Sequence, residues 1–177
     1  MENALKIKID KQMWIQVYKN CFKTIHDNEI KWFQYRILHR ILGTNEYLFK
    51  LKYTNNNICV FCKEHPETIM HLFVECHVVK NFWGEVKRNV SLHLGLELTL
   101  TAQDIILGVF STAATTTNII YLTVKVYIFQ TARSNGVLML HSFCKFIRKI
   151  FIEQEFASKL EFSYDKFSKV WGKINLL

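Results

Sequence analysis

The feature that most constrains this fold is a cluster of three cysteines and one histidine between residues 59 and 76. Its spacing is Cys59-x2-Cys62-x8-His71-x4-Cys76. Zinc in proteins prefers four nitrogen or sulfur ligands in a tetrahedron, and a two-residue gap lets one tight turn present both sulfurs of a cysteine pair. Because protein side chains fill all four positions, no position is left for a catalytic water. The spacing therefore predicts a closed, structural Zn²⁺ site.

The local sequence leaves two points of this site open. His65 and His77 are spare ligands, and either could replace one of the four without opening the site. Pro66 and Glu67 resemble a helix start that would carry His71. Five residues rotate a regular helix by about 140°. The helix is therefore predicted to end or distort before Cys76, unless the histidine side chain reaches around it.

The number of cysteines and the N-terminal residues indicate the cellular compartment of the protein. The total of five cysteines is odd, and residues 1–12 are charged and lack the apolar region of a secretory signal. We therefore expect an intracellular protein, cytoplasmic or nuclear, in which paired thiols indicate metal before disulfide. Cys21 and Cys144 are interpreted as core thiols.

Hydrophobic periodicity predicts a mainly α fold, with the small CCHC zinc knuckle inserted between helices. We divide the chain into basic N-terminal helices at 1–58, the knuckle and its following helix at 59–90, and a helical tail at 91–177 that forms one unit with the rest. Asp10 is the expected cap of the first helix. The other predicted elements are a helix over Asn28–Leu42, an apolar stripe over Val78–Val90, a helix or strand over Ile119–Gln130, and tail helices over Leu140–Phe151 and Tyr164–Ile174.

An uncharged stretch of 20 residues, Ile105 to Val124, has the length of a bilayer span. The polar run Ser111–Asn118 divides it. We therefore predict two shorter buried elements and no membrane partner.

The formal net charge of +8 lies at the two ends of the chain. Residues 1–58 hold ten basic and five acidic side chains, residues 59–140 hold six of each, and residues 141–177 hold seven and four. Such an excess of basic residues favours binding to phosphate backbones, although it also increases solubility. A second basic run on a tail helix, Lys145, Arg148 and Lys149, is by itself a weak signal.

The strongest basic pattern lies on the second predicted helix. Trp32, Arg36 and Arg40 follow one another at four-residue intervals, with His39 beside them. Guanidinium groups pair with phosphates, and an indole stacks on bases. Lys50 and Lys52 would extend this predicted nucleic-acid-binding face, and Lys31 lies next to it. The alternative is an ordinary solvated face with a partly buried tryptophan.

Motifs for catalysis are missing from the sequence. We find no phosphate-binding glycine loop and no nucleophile elbow. In zinc deaminases a histidine–glutamate element precedes the cysteine pair, whereas here Cys59 and Cys62 come first. There is no Asp-Asp pair of the kind a polymerase metal site uses. We expect a protein that is not an enzyme and has no small-molecule substrate.

Several blocks carry a resemblance to a known family. The run WFQYRILHRILGTN at Trp32–Asn45 leads into the cysteine pair, followed by HLFVEC and by NFW at Asn81–Trp83; IILG at Ile105–Gly108 and KFSKVW at Lys166–Trp171 come later. Together they resemble the C-terminal region of non-LTR (LINE-type) retrotransposon reverse transcriptases.

The resemblance implies a zinc-binding accessory region that contacts RNA or DNA and lacks the polymerase and the endonuclease. The four predicted ligands match the family's pattern. The alternative is a structural or protein-interaction domain in which zinc only holds the fold. The preference for RNA or DNA, base specificity and oligomeric state do not follow from the sequence.

Overall fold

The structure is a computed structural model. It describes residues 5, 8–25, 27–111, 114–161, 163–172 and 174, without the side chains of residues 20–24 and 166. The prediction that Cys21 is a core thiol lies outside the described side chains. Cys144 is a free, half-buried thiol, and burial raises its pKa.

The described residues are mainly helical, which confirms the predicted fold class. A π-helical turn covers His71–Glu75. The helices are α1 Lys11–Thr24, α2 Asn28–Leu38, α3 Asn45–Lys50, α4 His77–Leu94, α5 Ala102–Leu107, α6 Thr115–Arg133, α7 Leu140–Leu160 and α8 Tyr164–Trp171.

Helix α6 is the centre of the molecule. Every residue from Ile119 to Ile128 is buried, because α6 packs against α1, α2, α5, α7, α8 and the π-helical turn. A helix surrounded in this way has no polar face, so its sequence lacks the amphipathic period that separates helix from strand. Burial on all sides explains why the sequence alone allowed either a helix or a strand here.

The break within the uncharged stretch is also confirmed. Helix α5 ends at Gly108, whose φ of 84° lies in a region that favours glycine. The Asn118 side chain then accepts from the Val109 N–H at 2.7 Å and donates to the Val109 carbonyl at 2.9 Å. In the part of the chain that the structure describes, no helix meets the length and hydropathy that crossing a bilayer requires.

Several predicted helix ends can be compared with the structure. Asp10 caps α1 as predicted, accepting from the Met13 N–H at 2.8 Å. The prediction that α2 continues to Leu42 is wrong, because this helix ends at Leu38 and Arg40 adopts a left-handed φ of 59°. Consequently Ile41, predicted as a core residue, is exposed.

Helix α4 ends at Leu94, directly before Gly95. Gly95 stops this helix in a left-handed conformation with φ of 62°, the usual role of glycine after a helix. The apolar stripe predicted over Val78–Val90 lies on α4 and forms part of the core. Its buried members are Val79, Phe82, Trp83, Val86 and Val90.

The hydrophobic core includes residues from all three predicted segments. Cys59, Leu72, Phe73 and Cys76 belong to the same buried cluster as the residues of α2, α6 and α7. The Trp83 indole N–H donates to the Phe73 carbonyl at 2.9 Å in the interior. The residues around the cysteines are therefore packed into the body of the protein.

Candidate metal centre

The structure brings the four predicted metal ligands together. One ligand atom from each of Cys59, Cys62, His71 and Cys76 lies within 4.8 Å of the other three. The Cys59 and Cys76 sulfurs are 4.0 Å apart, and the Cys62 sulfur lies 3.3 Å from Nε2 of His71.

These distances fit a tetrahedral zinc ion. With zinc–sulfur distances of about 2.3 Å, the tetrahedral edge between two sulfurs is about 3.8 Å, and an edge from sulfur to nitrogen is slightly shorter. The sulfur–sulfur separation of 4.0 Å and the sulfur–nitrogen separation of 3.3 Å in the structure lie close to these edges. The donor set therefore suits one Zn²⁺ held by thiolates and one imidazole.

The spare histidines lie outside this group. Among the described residues, the cluster includes neither His65 nor His77. The His65 ring packs edge-on against the His71 ring at 5.5 Å, whereas exposed His77 lies 3.8 Å from a Glu64 carboxylate oxygen.

A hairpin-like turn presents the first cysteine pair. Ile58 and Pro66 form an antiparallel bridge, and the Cys59 N–H donates to the His65 carbonyl at 2.8 Å. At the tip, Lys63 has a left-handed φ of 58°, which returns the chain directly after Cys62. The prediction that Pro66 and Glu67 begin a helix is wrong, because they complete this turn.

A π-helical turn presents the second ligand pair. The helical segment starts after Thr68, whose hydroxyl accepts from the His71 N–H at 2.9 Å. The Cys76 N–H then donates to the His71 carbonyl at 2.9 Å. A hydrogen bond between residues five apart defines a π turn. Such a turn places the two residues on the same side of the helix, whereas a regular α-helix would direct their side chains apart. The predicted distortion before Cys76 is thus confirmed.

The position of Cys76 favours a thiolate. Its pKa is lowered to about 5, first by a hydrogen bond from the Cys59 thiol and then by the Val78 and Val79 N–H groups at the start of α4. A helix N-terminus stabilises negative charge in this way. The same hydrogen bond and burial raise the pKa of Cys59. The N-terminus of α4 therefore favours the thiolate form of Cys76, which is the form that binds a metal cation.

A buried carboxylate connects the turn to the helical body. Glu67 is fully buried and accepts from the Val60 N–H at 3.2 Å and the Asn45 N–H at 3.1 Å. It also forms an ion pair with Arg133, at the end of α6. Arg133 donates further to the Gly43 carbonyl at 3.0 Å. Three segments distant in sequence therefore meet at one carboxylate.

The predicted nucleic-acid-binding residues occupy two different surfaces. Trp32 is 61% exposed on α2, and the Arg36 side chain bonds back to the Trp32 carbonyl at 3.4 Å. Arg40 follows the end of α2 and shares a cleft of about 310 Å³ with Lys50. The predicted stripe of Trp32, Arg36 and Arg40 is therefore interrupted, because the left-handed conformation of Arg40 turns the chain away from the helix axis.

The other predicted residues divide in the same way. His39 directly follows α2 and remains exposed on the same side as Trp32. Lys50 forms an ion pair with Glu46 at 3.0 Å, which lowers the Glu46 pKa. Exposed Lys52, with φ of 61°, follows α3. The role of all these residues in nucleic-acid binding stays a prediction.

The structure also reveals aromatic residues that the sequence analysis missed. Tyr35 stacks on His39 with ring centres 4.0 Å apart, and Trp32 meets the Tyr35 ring edge-on at 5.2 Å. From α1, Tyr18 approaches His39 at 5.9 Å, and Trp14 approaches Tyr18 at 6.0 Å. The available signal was the recurrence of aromatic residues at three- and four-residue intervals on both helices.

Comparison with known proteins agrees with this site. Residues 3–83 match the family model described as zinc-binding in reverse transcriptase. The match contains all four cluster residues and covers slightly less than half of the chain. This match confirms the predicted resemblance to the zinc-binding region of reverse transcriptases over these residues. The LINE-type assignment stays a prediction. No curated protein matches the chain significantly.

Proposed function

We propose that this chain is a zinc-stabilised, nucleic-acid-binding accessory domain of a retrotransposon-type reverse transcriptase, without polymerase or endonuclease activity of its own. The observation that carries the proposal is the four-ligand Cys/His cluster within the segment that matches the reverse-transcriptase zinc-binding family.

The geometry of the cluster supports a structural role for the metal. Cys59, His71 and Cys76 are buried, and Cys62 is half-buried. Zinc with four protein ligands has no position for water, so it stabilises the fold instead of activating a nucleophile. A bound ion would fix the turn that carries Cys59 and Cys62 to the π-helical turn and α4.

The distribution of charge supports a nucleic-acid partner. Residues 1–58, which lead into the knuckle, hold ten basic and five acidic side chains. Arg36 and Arg40 are both exposed. When such residues bind phosphates they release counterions, so affinity falls as salt rises. Exposed Trp32 adds a surface on which a base could stack.

The test is a titration of labelled RNA and DNA oligonucleotides, followed by fluorescence anisotropy at 50 and 200 mM salt. We expect an affinity whose logarithm falls linearly with the logarithm of salt. The double variant Arg36→Ala/Arg40→Ala should bind more weakly, and its salt slope should decrease by about 0.7–0.9 for each phosphate that the variant no longer neutralises.

The matched control is Lys145→Ala/Arg148→Ala, which removes the same charge from an exposed face of α7. This variant should bind nearly as well as the unaltered protein. Equal weakening of both double variants would assign the attraction to net charge and contradict the Arg36/Arg40 assignment. Absence of any binding at low salt would contradict the proposed function.

A second function, protein interaction, is favoured by an apolar stripe on α7. Ile152, Phe156 and Leu160 lie four residues apart, and each is more than half exposed. An antiparallel pair of α7 helices would bury this stripe against the same stripe of a second copy. The occupant that fits this face is therefore a second copy of the chain.

This alternative is tested by sedimentation equilibrium between 1 and 100 µM protein. It predicts a dimer that the substitution Phe156→Glu dissociates. The control is Tyr53→Glu, which changes an 80% exposed residue outside the stripe and should leave the dimer intact. A monomer throughout the concentration range would exclude self-association through α7.

A further inference from the structure

A row of five rings runs across the surface where α1 and α2 meet. We name it the aromatic row; in spatial order it contains Trp14, Tyr18, His39, Tyr35 and Trp32. Neighbouring ring centres are 6.0, 5.9, 4.0 and 5.2 Å apart. Within the row, Trp32 and His39 are exposed and the other three rings are half-buried.

Two helical stripes build the row. Trp32 and Tyr35 on α2 and the C-cap residue His39 are spaced i, i+3 and i+7, and such residues share one helix face. Trp14 and Tyr18 lie four apart on α1. The Tyr18 hydroxyl and Nε2 of His39 form a hydrogen bond of 2.9 Å that joins the two stripes. The row therefore has a fixed order instead of being a set of independent side chains.

The position of these rings is unusual for residues that only fill a core. The core side of α2 is already occupied by Ile30, Phe33 and Ile37, which are all buried. Trp32 lies on a different face, with most of its side chain in water. Exposed aromatic surface costs free energy in water, since an indole gains by burial. A ligand that covers Trp32 would recover that free energy.

Basic side chains flank the row on both helices. Exposed Lys11 precedes Trp14 by three residues, exposed Lys19 follows Tyr18, and exposed Arg36 lies one turn from Trp32. Burial and the neighbouring Tyr35 raise the pKa of Tyr18, so its phenol carries no negative charge at neutral pH. A chain of phosphates alongside the rings would meet cations at both ends of the row.

We propose that the aromatic row is a stacking platform for single-stranded nucleic acid, with unpaired bases on the rings and the phosphate backbone along Lys11, Lys19 and Arg36. The inference rests on the proposed function and specifies its ligand. In a duplex, neighbouring base pairs cover the base faces, whereas in a single strand those faces are free to stack on aromatic side chains. The row consequently favours single strands or unpaired ends over continuous duplex.

The test compares a 12-nucleotide oligodeoxyadenylate with a duplex of the same length, using Trp32→Leu, Trp32→Phe and Tyr53→Leu. We expect the unaltered protein to bind the single strand more tightly. Trp32→Leu should weaken that binding about tenfold, because one base no longer stacks, and should change duplex binding little. Trp32→Phe, which keeps an aromatic ring, should retain most of the affinity.

Tyr53→Leu removes a ring outside the row that is even more exposed than Trp32, and it should leave both affinities unchanged. Circular dichroism and the melting temperature verify that each variant is folded; Trp32 is exposed, so we expect small changes. If Trp32→Leu lost stability, quenching of tryptophan fluorescence by the single strand in the unaltered protein would serve instead. That quenching should be smaller in Trp32→Phe, in which Trp14 is the remaining tryptophan of the row.

The outcomes separate this inference from the proposed function. Binding of both ligands with equal affinity, unaffected by Trp32→Leu and without quenching, would overturn the stacking platform and leave nucleic-acid binding intact. No binding of any RNA or DNA would overturn both.

Discussion

Replacing Cys76 by serine is expected to remove the bound metal and to lower the free energy of unfolding by several kcal/mol. Structural zinc contributes about 10–16 kcal/mol of binding free energy in zinc-finger peptides, and this becomes folding free energy. Cys76 is fully buried and caps α4, so the destabilisation should reach the helical body. Metal analysis and urea denaturation followed by circular dichroism measure both effects.

The control for this substitution is Cys144→Ser. Cys144 is also a free thiol, but it lies on α7 outside the cluster. We expect Cys144→Ser to retain about one zinc per chain and most of the stability. Unchanged metal content and stability in Cys76→Ser would show that this thiol is not a ligand.

The second large effect is expected at Arg133. Replacing it by methionine leaves the Glu67 carboxylate in the interior without its cationic partner. Removing one member of a buried ion pair costs about 3–5 kcal/mol, and we expect the lower end of this range because the Arg133 side chain is 29% exposed. Since Glu67 also holds the Val60 N–H beside Cys59, the variant should bind zinc more weakly as well.

A double variant makes this prediction specific. Glu67→Gln with Arg133→Met removes both charges, and it should recover a large part of the stability that Arg133→Met removes. The control is Glu153→Gln, which breaks the exposed Lys149–Glu153 pair at 3.7 Å and should cost less than about 1 kcal/mol. If Arg133→Met cost no more than this control, the carboxylate would not connect the knuckle to the body.

Features set by local spacing could be predicted from the sequence. The interval between Cys59 and Cys62 specifies a turn, and Asp10 before an apolar stripe specifies a helix cap. The five-residue interval between His71 and Cys76 required a distortion, because a regular helix would direct the two side chains apart. The structure provides that distortion as a π-helical turn.

Features set by packing between distant residues could not be predicted. The Glu67–Arg133 pair joins positions 66 residues apart, and no periodicity relates them. The aromatic row forms only when α1 packs against α2. The end of α2 at Leu38 could not be predicted, because Ile41 continues the apolar period of the helix. No local sequence signal indicates that Arg40 adopts a left-handed conformation.

The central claim is that these four side chains hold one zinc ion that stabilises the fold. The most direct measurement is the metal content of the purified protein by plasma mass spectrometry, paired with circular dichroism before and after chelation. We predict about one zinc per chain and a decrease of helical signal when the metal is removed, reversed by added Zn²⁺. A well-folded protein that contains no zinc, with stability unaffected by added Zn²⁺, would contradict this claim.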